Sequence, residues 1–310
     1  MASCKYPRSG QPPAAVVRRA AYHRAPFAAP GRVAAGQGTA PLDPTPLIDS
    51  MMQARLSPEG RDWLARALAE QGGGVEDARF GQLLSAASRV ARRQPLQPSP
   101  ALRMTVRAAA DGLDPERWTL LEAVRVRLIL AHPQRANDRG QAALESAFRY
   151  ADEGELCALY RSLALLPEPS RFAWRAGEGC RSNMRSVFEA VACDTPYPWR
   201  WFDPIAWRQC VMKALFIGAP VARIQGLARR RDEELARMAL DLADERRSAG
   251  RPVPADLWSV VGPFGGARAE ASIACELDPA NPTAAANPDG PRAAAALQQE
   301  RRPTGAAGAR

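Results

Sequence analysis

From Glu178 to Phe216 the chain reads EGCRSNMRSVFEAVACDTPYPWRWFDPIAWRQCVMKALF, and no other stretch narrows the possible folds as much. Phe172, Ala176, Cys180, Met184, Val187 and Val191 recur at steps of three and four, the period of a helix with one apolar face. Trp207, Cys210, Val211, Ala214 and Leu215 resume that period after Asp203-Pro204, a cap followed by proline at the first helical position. Two helices are expected, from Ser170 to about Ala192 and from Asp203 to about Gly218. Between them lies Pro196-Tyr197-Pro198-Trp199-Arg200-Trp201-Phe202, four aromatic residues among seven. Its prolines are expected to hold the chain extended.

The same signals recur along the chain. Ser57-Pro58 opens a helix closed by Gly72-Gly73-Gly74, and another runs from about Val75 to Arg92. A weaker helix spans 101–110. Thr119-Leu-Leu-Glu122 is a capping box at the head of a strongly apolar run to Ala131, where His132 is expected to act as a helix C-terminal cap. Further helices are expected at 136–151, 153–165, 231–248 and 254–258. No segment alternates with period two, so the fold class is all-α. Trp118-Thr119 and Phe202-Asp203 both open apolar helices, two periods of about 42 residues apart, as in stacked HEAT- or armadillo-like pairs.

Composition sets the expected boundaries. Residues 1–50 carry six basic side chains against two acidic ones and almost no apolar periodicity, and 265–310 are similarly poor in large apolar groups. Both are expected to be disordered tails, leaving a helical domain over 51–264; a start at Met51 or Met52 is an alternative. No apolar run long enough for a signal peptide or a membrane span is present. The six cysteines include no CxxC pair, which speaks against a zinc site and for a reducing, cytoplasmic setting. The net charge of +9 invites a nucleic-acid partner, but the arginines of the central region are interleaved with acids, as on a solvated helical surface.

Within the opening stretch some polar side chains sit in or beside apolar faces and must be paired or bind something, since stranding each costs about 1–3 kcal/mol. Glu178 and Arg181 are three apart and can pair; Asn183 can bridge to a neighbouring helix; Lys213 can extend its ammonium outward. Two readings stay open: architectural ties, or a pocket that recognises an anionic or hydroxylated ligand through Arg181. The aromatic connection either caps the core, walls an apolar pocket or presents a partner-binding patch. Gly262-Pro263-Phe264-Gly265-Gly266 lacks the lysine of a phosphate loop. With one usable histidine and no nucleophile motif, no catalytic residue and no cofactor are assigned. Glu178, Arg181, Asn183, Tyr197, Trp207 and Lys213 are the candidate ligand- or partner-binding residues.

The blocks YADEGELCALYRSLALLPEP (150–169), AGEGCRSNMRSVFEAVACDTPYP (176–198), FDPIAWRQCVMKALFIGAPVARIQGL (202–227) and LARMALDLADERRSAGRPVPADLWSVVGPF (235–264) resemble the EboA family of bacterial proteins. Trp199-Arg200-Trp201 and Arg208 depart from the family pattern, where small or acidic residues and an amide are usual. The resemblance implies a place in a gene cluster for a secondary metabolite and its export, beside a UbiA-like membrane prenyltransferase and several soluble enzymes, and no reaction of its own. The expected function is therefore a non-catalytic, cytoplasmic accessory protein, peripheral to the inner membrane in one variant, that binds a metabolite intermediate or scaffolds partner enzymes. The alternative is an enzyme acting on an anionic small molecule, with Glu178 or Lys213 as acid or base and Arg181 as anchor.

Overall fold

A computed structural model of the chain describes residues 43, 45–278, 280–281 and 287–301. Its elements are α1 (Thr45–Gln53), α2 (Pro58–Gly72), α3 (Asp77–Ala86), α4 (Pro100–Ala109), α5 (Leu120–Leu130), α6 (Asp138–Tyr150), α7 (Glu153–Ser162), α8 (Ala173–Cys180), α9 (Arg185–Ala192), α10 (Tyr197–Trp201), α11 (Pro204–Ile217), α12 (Leu227–Arg230), α13 (Glu233–Ser248), α14 (Asp256–Val261), α15 (Gly266–Leu277) and α16 (Asp289–Glu300). Short 3₁₀ turns extend several of them, and no strand occurs among the described residues. The fold is all-α.

Helix α5 is the centre. The Thr119/Glu122 capping box forms as expected, and ten of the eleven residues of α5 are buried. It packs against α1, α2, α3 and α7. The contacts establish the helical class but not a stack of equivalent pairs, because α5 is surrounded rather than sandwiched. Three charges lie on this helix: Arg127, half-buried, pairs with Asp49 of α1 at 2.8 Å, and the two buried ones, Glu122 and Arg125, also find partners. Arg161 of α7 donates from Nε to Glu122 Oε1 at 3.0 Å. Arg125 donates from Nε to the Leu84 carbonyl at 3.0 Å and from Nη2 to Glu155 Oε1 at 3.4 Å. Buried ions need such partners, because one left alone out of water costs several kcal/mol. The two pairs fix the antiparallel register of α5 and α7.

Four regions differ from the sequence expectations. The long helix over 170–192 divides into α8 and α9. Ser182 Oγ accepts from the Met184 amide at 3.1 Å, a local bond that replaces a helical one. Gly179 then sits between the two neighbours: a Cβ there would lie 2.6 Å from both Tyr160 Cζ and Val191 Cγ2. The connection after Pro196 is not extended but coils into α10, because its prolines occupy the first turn, where no amide donor is required. Arg230 ties α10 down by donating from Nη1 to the carbonyls of Pro198, Trp199 and Phe202 at 3.2, 3.1 and 3.0 Å.

At the ends, the ordered helices reach beyond 51–264. Helix α1 begins at Thr45 and buries Ile48, Met51 and Met52; the remainder of the expected N-terminal tail, 1–42 and 44, lies outside the described residues. The segment expected as a C-terminal tail carries α15 and α16 up to Glu300. Small residues let these helices approach closely, with Ala269, Ile273, Ala294 and Leu297 buried, and polar clips supply what large apolar groups do not. Arg247 donates to Ser272 Oγ and to the Ser272 carbonyl at 2.9 and 3.0 Å, and to Glu276 Oε2 at 3.2 Å. Arg301 donates to the carbonyls of Gly262 and Phe264, each at 2.8 Å.

His132 is a buried ring and not a charged cap. It packs edge-on against Phe80 at 5.1 Å, its Nδ1 accepts from the Gln134 amide at 3.3 Å, and burial holds its pKa below 6.5. The unfolded chain therefore takes up this proton first as pH falls, so its contribution to stability is complete above 6.5 and declines toward the lowered folded value. Urea midpoints measured from about pH 7 to 5 should fall in the wild type and fall less in His132→Leu. Arg161→Ala, which strands Glu122, should cost about 3–5 kcal/mol by urea unfolding, and the double replacement Glu122→Leu/Arg161→Leu should recover much of it.

Candidate functional site

The six residues singled out from the sequence do not meet in one cavity. Glu178 and Arg181 form an ion pair on the surface of α8. Lys213 of α11 donates to Asn183 Oδ1 at 2.8 Å, tying α11 to the turn between α8 and α9. Arg181 and Lys213 line a common cleft of about 290 Å³ between α8 and α11. Tyr197 and Trp207 are buried elsewhere. Tyr197 Oη donates to the Pro169 carbonyl at 2.5 Å, and Trp207 Nε1 donates to the Arg230 carbonyl at 3.2 Å.

Two larger spaces compete as ligand sites. The first is a groove of about 870 Å³ between α3 and the pair α6 and α7. It exists because Ala78, Gly81 and Ser85 on one side face Ser146, Ala147 and Ala151 on the other, side chains too small to fill the gap. Its floor carries Glu155, whose carboxylate is already engaged by Ser85 Oγ at 2.6 Å, the Asp152 amide at 3.0 Å and Arg125. Arg79 at its rim is held by Glu70. Glu155 and Arg79 are thus satisfied internally, while Arg89, which also lines the groove, is exposed to solvent.

The second space is a cavity of about 530 Å³ beside the aromatic connection, within the range of small-molecule sites. Leu130, Leu165, Leu166, Pro196 and Trp201 wall it. Tyr197 does not line it but braces it: its ring lies 4.9 Å from that of Trp201, and its hydroxyl holds the loop at Pro169. Arg135 also lines the cavity, and its guanidinium has no hydrogen-bond or ion-pair partner among the described residues. Three carboxylates stand at the same rim. Hydrogen bonds from Thr45 hold the Asp43 carboxyl below its usual range, with Arg135 adding attraction. Asp111 is paired with Arg200, which stacks on Trp199 at 4.0 Å. Glu168 is exposed. Asp111 and Glu168 both adopt left-handed backbone, with φ of +50° and +48°, a conformation that costs side-chain-bearing residues free energy and gathers at functional sites.

The aromatic density and the Pro167-Glu168-Pro169 breaker are the sequence signals for this cavity; Arg135 carried none, since nothing local distinguishes it from other surface arginines. Two of the buried thiols are poor nucleophiles: burial pushes Cys157 up to about 11 and Cys193 up to about 12. No group of His, Cys, Asp and Glu placed to hold a metal ion occurs among the described residues. No described helix is long and apolar enough to cross a membrane.

A family model described as "Metabolite traffic protein EboA" matches residues 45–262, and the chain belongs to that family. The match includes α1 and stops within the turn after α14, so α15 and α16 lie beyond it. No curated protein and no solved structure gave a significant match. If Tyr197 acts as a brace, Tyr197→Phe should lower stability by about 1 kcal/mol through loss of one hydrogen bond, measured by urea unfolding, while the residues that line the cavity stay the same.

Proposed function

We propose that this protein is an accessory factor that binds an amphipathic metabolite in the cavity beside α10 and passes it to enzymes encoded in the same gene cluster, a UbiA-like prenyltransferase among them. The observation that carries this reading is Arg135, whose guanidinium makes no hydrogen bond or ion pair among the described residues, in a cavity walled mainly by leucine, proline, alanine and tryptophan. Such a site favours a ligand with an apolar body, which Trp201 and Leu165 desolvate, and one anionic or acceptor group for Arg135. The family's description as a metabolite traffic protein supports binding and transfer over chemistry. The enzymatic alternative has less behind it, since Glu178 is committed to Arg181 at the surface and Lys213 to Asn183.

Native mass spectrometry of protein purified from cells bearing the whole cluster provides the test. The wild type should carry a small-molecule adduct. Leu165→Trp, which pushes an indole into the cavity from its wall, should weaken it strongly. Arg135→Ala should weaken it about tenfold or more, the worth of one charge-assisted hydrogen bond. An adduct retained at full occupancy in both variants would remove the ligand from this cavity.

A further inference from the structure

Four of the six large apolar side chains exposed on the described surface lie on α8, on α11 or on the turn after α8, the elements that form the smaller cleft. Trp174 on α8 is 53% exposed, Met184 on the following turn 42%, and Ile205 and Phe216 on α11 65% and 56%. Trp174 and Arg181 are two helical turns apart and share one face of α8 with Gly177. Ile205, Gln209 and Phe216 share one face of α11 and span about 16 Å along it. Single exposed apolar residues need no explanation, but a cluster does.

The cleft between these helices is built largely of small side chains and carries two cations. Arg181, Gln209 and Lys213 line it together with the small groups Gly177, Cys180 and Ala206, and no carboxylate does. Glu178 pairs with Arg181 at the edge of the cleft, so an incoming phosphate would share that guanidinium with Glu178. Lys213 is bonded only to a neutral amide, Asn183, so no ion pair offsets its charge. Arg175 stacks on Trp174 at 4.8 Å and is itself paired with Glu145, and Arg185 beyond Met184 pairs with Glu189.

We propose that this face docks on an anionic phospholipid surface, with a headgroup phosphate in the cleft between Arg181 and Lys213 and with Trp174, Met184, Ile205 and Phe216 entering the interfacial layer. The layering matches a bilayer, in which apolar tips lie below the phosphates and cations lie level with them. An amphipathic partner helix fits less well, because its apolar ridge would meet Arg181, Gln209 and Lys213 among the lining residues.

Flotation of the full chain with vesicles tests this. Wild-type protein should float with phosphatidylcholine vesicles containing phosphatidylglycerol and not with phosphatidylcholine alone. Ile205→Ser/Phe216→Ser should reduce partitioning on the order of tenfold, and Arg181→Gln/Lys213→Gln about fivefold for each charge lost. Far-UV circular dichroism of the variants should match the wild type, since all four positions are on the surface. Unchanged flotation of Ile205→Ser/Phe216→Ser would show that the basic chain adsorbs without this face and would overturn the proposal. Absence of flotation would overturn it too, and protection of Lys213 from acetylation by inorganic phosphate would then assign the cleft to a free anion. Flotation lost in both variants while the cavity adduct persists would support the docking face independently of the metabolite site.

Discussion

The fold depends on the burial of α5 together with two of its three charges, Glu122 and Arg125. A helix enclosed on every side ordinarily carries no ions, since removing one from water costs several kcal/mol. Glu122 and Arg125 are tolerated because α7 brings Arg161 and Glu155 to meet them, and because Thr119, Ser85 and the Leu84 carbonyl take up further bonds, leaving Arg125 Nη1 with only the 3.9 Å approach of Asp152. Apolar packing alone would let α5 and α7 slide by a turn at modest cost; the paired charges make each displaced register expensive. Helices α3, α5 and α7 are thereby locked into one unit, and the large groove between α3 and α6/α7 is a by-product of that lock and of the small side chains facing each other across it.

Beyond this unit the chain is held by arginines that reach backbone carbonyls. Arg230 gathers three carbonyls at the end of α10, Arg247 and Arg301 fasten α15 and α16, and Arg223 joins Asp194 and Glu189. A guanidinium with several donors in a fixed plane is suited to such ends, where helix carbonyls lack partners. Much of the arginine excess that makes this chain basic is therefore structural. Arg135, like several surface arginines, makes no side-chain hydrogen bond or ion pair among the described residues, but it alone of these lines the cavity beside α10; Lys213 pairs only with a neutral amide, and the two functional proposals rest on these placements.

Helix positions were legible from the sequence wherever a cap and an apolar period coincided. Ser57, Thr119 and Asp203 all cap as their sequences imply, and Gly218 ends α11 in the left-handed conformation expected of it. The break at Ser182 was not legible, because the apolar period runs through it unbroken and only the hydroxyl–amide bond interrupts the helix. The coiling of α10 was hidden for the opposite reason: prolines that stop a helix from within also start one. Helices α15 and α16 escaped notice because alanine-rich segments look like tails until a partner surface and the Arg247 clip are in place.

The candidate site divides along the same line. The sequence by itself determined the helical class, most helix boundaries, the Glu178–Arg181 pair and the density of aromatic residues around Trp201, all of which follow from local period and capping chemistry. Only the tertiary structure decided which polar groups are committed and which are free. It sent Tyr197 and Trp207 inward as supports, set Arg181 beside Lys213 across a cleft, and brought Arg135 to a cavity it shares with residues of α10. Those outcomes depend on contacts between residues far apart in the chain, and no local pattern encodes which of many arginines will find a carboxylate and which will not.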